Sequence, residues 1–275
     1  MCVISPAELA DRLQDGPRPV LLDVRWSLAA GSAPEKYAAG HIPGAVFVDF
    51  DAGICGPAGR SGRHPLPDPD DLQEALRATG MHDDSPVVVY DDGDLMSAAR
   101  TWWTLRWAGV ADVVVLDGGW SAWVTRQPGA TSTESHQPGN GTVTVRPGAL
   151  PVLDAEEAAR VARTGTLVDV RTPERFAGVP NDLDPVAGHV PGAVNLPGGA
   201  VLAGNVGLRP RPELRDVLSG VARHEPLGVY CGSGVTAART ALAMSVADLP
   251  VPALYVGSWS EWIADPNRPV ATGDA

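Results

Sequence analysis

Short apolar runs alternate with amphipathic stretches along most of this chain. Runs of four or five apolar residues are typical of strands that are buried on both faces, as in a parallel sheet between helices. In the first half, such runs predict strands at 20–24, 45–48, 87–90 and 113–116. Helical patterns cover 7–14, 70–79 and 98–107, the second of them with a cap near Asp70 or Asp71. The alternation predicts an α/β fold.

Four motifs of the first half return in the same order in the second half, which indicates an internal duplication. The first half has eight more residues between the second and third motifs, in a Gly-, Pro- and Asp-rich stretch around 53–71 that predicts a surface loop. We therefore predict two domains, 1–127 and 149–275, joined by a Gly-, Pro-, Ser- and Thr-rich linker at 128–148, with a short extended piece at 143–145. The paired motifs are Asp-Val-Arg at Arg25 and Arg171, Gly-His-[Ile/Val]-Pro-Gly-Ala at His41 and His189, the strand ends Tyr90 and Tyr230, and the Trp-Ser-x-Trp ends at Trp123 and Trp262.

The net charge and the lengths of the apolar runs argue against two classes of partner, nucleic acids and membranes. The formal net charge of −12 argues against binding to nucleic acid, and no apolar run is long enough to span a membrane. Three scattered cysteines make neither a disulfide framework nor a metal site, and the first residues lack the apolar core of a signal peptide. We expect a cytoplasmic protein that needs no metal or organic cofactor.

Cys231 stands between a predicted strand and a predicted helix, in the run Cys231-Gly-Ser-Gly-Val-Thr. A loop with two glycines can turn its N–H groups inward to hold an anion, and the start of the helix adds its positive dipole end. Both features favour a thiolate, the nucleophilic form of cysteine. A buried structural cysteine is the alternative, but the first half has Asp91 at the matching position, which favours one working site and one structural half. A cysteine phosphatase would need an arginine at position 237, which is Ala237.

These residues resemble the rhodanese superfamily in its tandem-domain form, over nearly the whole chain. The resemblance implies two rhodanese-like domains, each with a mostly parallel five-stranded sheet flanked by helices, and a catalytic Cys231 that carries sulfur as a persulfide. The Cys231 loop is similar to that of 3-mercaptopyruvate sulfurtransferases. Thiosulfate sulfurtransferases typically have basic residues after the cysteine, and this loop has none. The loop residues expected to bind the substrate are Gly232, Gly234, Val235 and Thr236.

The resemblance also implies roles for residues outside the loop. Arg175 matches the arginine that binds the carboxylate of mercaptopyruvate. Asp51 and His64 match first-domain residues that work with the loop hydroxyl, here Ser233, which can relay a proton to the enolate formed when sulfur leaves. The family usually has a second arginine before the Gly-His motif, whereas the segment 178–185 of this chain is acidic and has none.

The sequence therefore predicts a sulfurtransferase that moves sulfur from 3-mercaptopyruvate through Cys231 to cyanide, a thiol or a thiol protein. Two alternatives remain open at this point. One is a thiosulfate:cyanide sulfurtransferase with the same cysteine, and the other is a persulfide carrier or redox-sensing module with little turnover.

Overall fold

The computed structural model describes residues 2–14, 17–222 and 224–273. It contains two compact units. Unit 1 comprises Met1–Gly56, Leu66–Ala149 and Leu202–Leu208, and unit 2 comprises Pro57–Pro65, Leu150–Val201 and Arg209–Ala275. Most of each unit comes from one half of the chain, but the segment 57–65 of the first half belongs to unit 2.

Unit 1 is built on a five-stranded sheet in which every paired strand is parallel. Alternate strand residues pack into a core that contains Leu21, Val88 and Val114, and their neighbours Leu22, Val87 and Val113 are also buried. Both faces are thus covered, as the short apolar runs predicted. In the order in which they lie in the sheet, the strands are β1 (Val3–Ile4), β7 (Val113–Leu116), β6 (Val87–Tyr90), β2 (Val20–Asp23) and β5 (Ala45–Phe47). A small antiparallel pair is formed by β3 (Trp26–Ser27) and β4 (Gly31–Ser32). The helices are α1 (Pro6–Gln14), α2 (Pro34–Ala39), α3 (Phe50–Gly53), α4 (Pro69–Ala78), α5 (Met96–Trp107) and α6 (Gly119–Arg126).

Unit 2 repeats this plan with a second parallel five-stranded sheet. The strand that leads to Cys231 is the central one. In order, the strands are β10 (Val194–Asn195), β9 (Thr166–Asp169), β11 (Leu227–Tyr230), β12 (Ala253–Tyr255) and β8 (Val152–Leu153). The helices are α7 (Ala155–Thr164), α8 (Pro173–Ala177), α9 (Arg211–Leu218), α10 (Val235–Val246) and α11 (Ser258–Trp262), with a 3₁₀ turn at Gly198–Val201.

The repeated motifs meet in one buried network in each unit. In unit 2, Arg171 donates to the Asp169 carboxylate and, at 2.6 Å, to the carbonyl of Gly188, the residue before His189. The Arg171 guanidinium lies 4.6 Å from the centre of the Trp259 ring. Unit 1 has the same contacts, with Arg25 on Asp23, on the Gly40 carbonyl and over the Trp120 ring. A buried guanidinium is tolerated only when it is paired and hydrogen-bonded, which explains why these residues occur together in both halves.

Several element boundaries differ from the sequence-based expectations. The strand predicted at 20–24 ends at Asp23, and the helices predicted at 7–14 and 98–107 begin at Pro6 and Met96. Helix α4 begins at Pro69, one residue before the predicted start; the Asp68 carboxylate caps it by accepting the Asp70 N–H, and Asp70 and Asp71 lie near this cap in the first turn. The strand predicted at 45–48 ends at Phe47. The residues 143–145, predicted as a short extended piece, belong to none of the strands, and the Val143 N–H donates to the carbonyl of Met81. Within the described residues, no helix is both long and apolar enough to cross a bilayer.

Candidate active site

Cys231 follows the carboxyl end of the central strand β11, where open parallel sheets bind their ligands. Its side chain is almost fully buried. The Cys231 N–H donates to Ser258 Oγ at 3.2 Å, and the Cys231 carbonyl accepts the Trp259 N–H at 3.0 Å. The Gly232 carbonyl accepts the Ser260 N–H at 2.9 Å. The first turn of α11 therefore holds the main chain of Cys231 and Gly232 in place.

The loop after Cys231 has the geometry of an anion site. Gly234 adopts φ +79° at the start of α10 and has no side chain to cap that helix, which suits a helix start whose first-turn N–H groups face an anion. Val235 is buried and can offer only its main chain, whereas Thr236 is half-buried. The matching loop of unit 1 shows what such N–H groups hold, because the Asp91 carboxylate accepts the N–H groups of the residues two, four and seven positions further on, at 2.8 to 3.2 Å.

Ser233 and His64 are brought together. His64 Nδ1 lies 2.8 Å from Ser233 Oγ, although 169 residues separate them in the chain. The segment 57–65 that carries His64 belongs to unit 2 and is anchored there at Gly62, which adopts φ +106°. A Cβ on Gly62 would lie 2.7 Å from the Gly257 carbonyl oxygen, so only glycine fits this close approach.

Asp51 lies in unit 1, in the first turn of α3. Its carboxylate accepts the indole N–H of Trp26, with 3.0 Å to each oxygen. Partial burial raises the pKa of the Asp51 carboxyl above its ordinary value. The catalytic role that the resemblance implies for Asp51 stays a prediction.

Arg175 lies beside the Cys231 loop, where it is paired with the carboxylate of Asp184. Its Nη2 lies 3.0 Å from the point that a Cβ on Gly232 would occupy. Arg175 Nε and Nη2 both donate to Oδ2 of the buried Asp184, and Arg171 Nη1 lies 3.7 Å from the same oxygen. The other oxygen, Asp184 Oδ1, accepts from Arg63 Nη1 at 3.1 Å. The acidic segment 178–185 thus contributes a carboxylate shared by three guanidinium groups.

The described residues contain no group of three His, Cys, Asp or Glu side chains arranged to hold a metal ion. Cys2, Cys55 and Cys231 do not form disulfide bonds. Burial raises the pKa of the Cys55 thiol to about 11, which leaves it a poor nucleophile near neutral pH.

The family of rhodanese-like domains matches this chain twice, at residues 5–126 and 154–265. The chain belongs to the rhodanese family. These two matched regions lie in the two halves that the repeated motifs defined.

Relatives that match over nearly their whole length are named for two different sulfur donors, thiosulfate and 3-mercaptopyruvate. The chain is 44% identical to "Putative thiosulfate sulfurtransferase SseB" of Mycobacterium tuberculosis, over 99% of this chain and 98% of that protein. It is 43% identical to "Probable 3-mercaptopyruvate sulfurtransferase" of Pseudomonas aeruginosa, again over 99% and 98%. The crystal structure of SseA from Escherichia coli, described as a 3-mercaptopyruvate sulfotransferase, matches with a TM-score of 0.81 and 31% identity over 94% of this chain and 99% of SseA.

Sequence reasoning missed Ser258, Arg63 and Asp184. Ser258 had a detectable signal, since the repeat aligns it with Gly119 and both residues adopt φ +53°. A serine in this conformation is strained, and here its hydroxyl accepts the Cys231 N–H. Arg63 and Asp184 had no such signal, because 121 residues separate them and no pattern in the rhodanese family motifs quoted above pairs them.

Proposed function

We propose that this sulfurtransferase takes sulfur from 3-mercaptopyruvate. The Cys231 thiolate attacks the donor sulfur, and the carbon–sulfur bond breaks with its electron pair on the donor carbon. That carbon takes a proton and leaves as pyruvate, while Cys231 keeps the sulfur as a persulfide. The terminal sulfur is then transferred to cyanide, a thiol or a thiol protein, which restores the cysteine.

The observation that carries the proposal is the hydrogen bond between Ser233 Oγ and His64 Nδ1 beside Cys231. Loss of sulfur from mercaptopyruvate generates an enolate that must be protonated, whereas thiosulfate loses sulfite as an anion and needs no proton. A hydroxyl backed by an imidazole is a suitable proton donor for the first reaction. Arg175 supplies a cation for the donor carboxylate.

The charges around the loop support the same donor. Arg63, Arg171 and Arg175 face Asp169 and Asp184, which leaves one net positive charge in this group. One positive charge matches the single carboxylate of mercaptopyruvate and leaves a nearly dianionic sulfite undercompensated.

Thiosulfate is the second candidate donor, favoured by the name of the Mycobacterium tuberculosis relative. A persulfide carrier with little turnover is a third. The near-complete burial of Cys231 favours small acceptors over a protein that must reach the sulfur. A cytoplasmic location forms part of the proposal, because three free thiols persist in a reducing compartment.

The test compares wild-type protein with Cys231→Ser, using Cys55→Ala as the matched control. Pyruvate release from 3-mercaptopyruvate, thiocyanate formation from thiosulfate and the gain of one sulfur atom in the intact mass are measured with each variant. We expect kcat/KM at least about tenfold higher with mercaptopyruvate, full loss in Cys231→Ser and retention in Cys55→Ala. Preference for thiosulfate would overturn the donor assignment, and activity in Cys231→Ser would overturn the persulfide mechanism.

A further inference from the structure

Arg63 is fixed at the Cys231 loop by its main chain. The Arg63 N–H donates to Ser260 Oγ at 3.0 Å, and Ser260 in turn donates its own N–H to the Gly232 carbonyl. The preceding Gly62 packs directly on Gly257. The position of Arg63 is therefore set by α11 and by a tight glycine contact, independently of where its long side chain points.

The Arg63 guanidinium is only partly satisfied. Nη1 donates to the Leu183 carbonyl and to Asp184 Oδ1, both at 3.1 Å. Nε is buried and has no hydrogen-bond partner in the part of the chain that the structure describes. A buried donor without a partner carries a desolvation cost, so it is a natural place for a ligand atom.

The remaining nitrogen, Arg63 Nη2, lies close to Gly232, as Arg175 Nη2 does. It lies 2.8 Å from the point that a Cβ on Gly232 would occupy, and Arg175 Nη2 lies 3.0 Å from that point. Two guanidinium groups thus flank the residue next to Cys231, and one buried carboxylate, Asp184, ties them together. Planar guanidinium forks are the side chains best suited to a carboxylate.

We propose that Arg63 is the second carboxylate-binding residue of this enzyme, so that the donor carboxylate is held by Arg63 and Arg175 above Gly232. The proposal rests on the proposed function and deepens it. The segment 178–185, which precedes the Gly-His motif, has no arginine; it supplies Asp184, and Asp184 orients an arginine from the segment 57–65.

The test uses a pair of donors that differ only in the carboxylate: 3-mercaptopyruvate and mercaptoacetone, in which a methyl group replaces it. Arg63→Gln is compared with Arg60→Gln, an exposed arginine of the same segment. We expect Arg63→Gln to lower kcat/KM for mercaptopyruvate by about 10- to 100-fold, mostly through KM, and to leave mercaptoacetone within about twofold. Arg63→Lys restores part of the loss because it keeps the charge without the fork. Arg60→Gln leaves both donors unchanged.

Equal losses on both donors would show that Arg63 only holds the loop, and no loss on either would show that Arg175 suffices; both results overturn the proposal. A second readout does not depend on turnover of mercaptopyruvate. Pyruvate should protect wild-type Cys231 from iodoacetamide, and Arg63→Gln should need about 10-fold more pyruvate for the same protection. If wild type prefers thiosulfate, the proposed function fails, while this protection shift still decides the role of Arg63.

Discussion

Replacing Asp184 by asparagine changes the charge at the Cys231 loop without removing an arginine. The carboxylate is fully buried and lies between Arg63 at 3.1 Å and Arg175 Nε at 3.0 Å. Asparagine keeps one oxygen that can accept from Arg175 but loses the negative charge. The net charge of the five paired groups around the loop then rises from one positive to two positive. We expect the donor preference to move toward the donor with the greater negative charge.

The size of the shift follows from Coulomb's law. Removing one unit charge about 6 Å from a donor charge changes their interaction by about 3 kcal/mol per donor charge at an effective dielectric constant of about 20. Thiosulfate carries one negative charge more than mercaptopyruvate, so its binding free energy improves by about 3 kcal/mol more than that of mercaptopyruvate before solvent screening. The Arg63 side chain is 30% exposed, and solvent screening reduces the effect by about half. We therefore expect the ratio of kcat/KM for thiosulfate to kcat/KM for mercaptopyruvate to rise by about tenfold.

The assay measures both donors with cyanide as the common acceptor, in Asp184→Asn and in Asp182→Asn, which changes an exposed aspartate of the same segment. Asp184→Asn leaves buried cations less well paired, so we expect its free energy of unfolding to fall by about 1 to 3 kcal/mol, and the assay is run well below the unfolding midpoint. Asp182→Asn should leave the ratio unchanged. An unchanged ratio in Asp184→Asn, or a shift toward mercaptopyruvate, would contradict the electrostatic account of donor choice.

Four further outcomes are expected. His64→Asn and Ser233→Ala should each lower kcat for mercaptopyruvate by about 100-fold, and the double variant by no more than the worse single one; multiplied losses in pyruvate release would contradict a shared proton path. Ser258→Ala should lower the free energy of unfolding by about 1 kcal/mol in urea and slow persulfide formation, because the Cys231 N–H loses its acceptor; wild-type behaviour in both would exclude a positioning role. Cys55 should stay unlabelled by iodoacetamide at about pH 8 in peptide mass spectra, since its raised pKa leaves almost no thiolate. Burial raises the pKa of Asp91 to about 7, so the folded state keeps that proton at a pH where the unfolded state has lost it. The contribution of Asp91 to the free energy of unfolding should fall as pH rises from about 4 to about 7, and urea unfolding of wild type and Asp91→Asn at several pH values should show this difference.

Much of the fold could be predicted from the chain because its signals are local. Buried parallel strands require short apolar runs, and β2, β6 and β7 each begin at the residue where such a run begins. The paired Asp and Arg residues could be recognised as important through the repeat, but their contact with the Gly carbonyl before His41 and His189 became visible only in the folded chain. The exact ends of the elements could not be predicted from the chain: α4 is capped by Asp68, which is chemically equivalent to Asp70 and Asp71.

In the candidate site, too, some residues could be predicted from local sequence, and one contact became visible only in the fold. Cys231 and its loop could be found because the cysteine, the two glycines and the start of the helix are consecutive in sequence. The proximity of His64 to Ser233 is a property of the fold, which the family resemblance suggested and the residues alone did not.

By itself, the sequence determined the duplication, the α/β class and which cysteine stands in a glycine-containing loop between a strand and a helix. These features depend on residue periodicity and on neighbours within a few positions. Only the tertiary structure decided that Arg63 joins Arg175 at Gly232 and that Asp184 holds both. That arrangement depends on packing the segment 57–65 into unit 2 through Gly62 and Ser260, contacts that join residues nearly 200 positions apart. The free energy of such long-range contacts comes from desolvation and shape, neither of which is encoded in a local pattern.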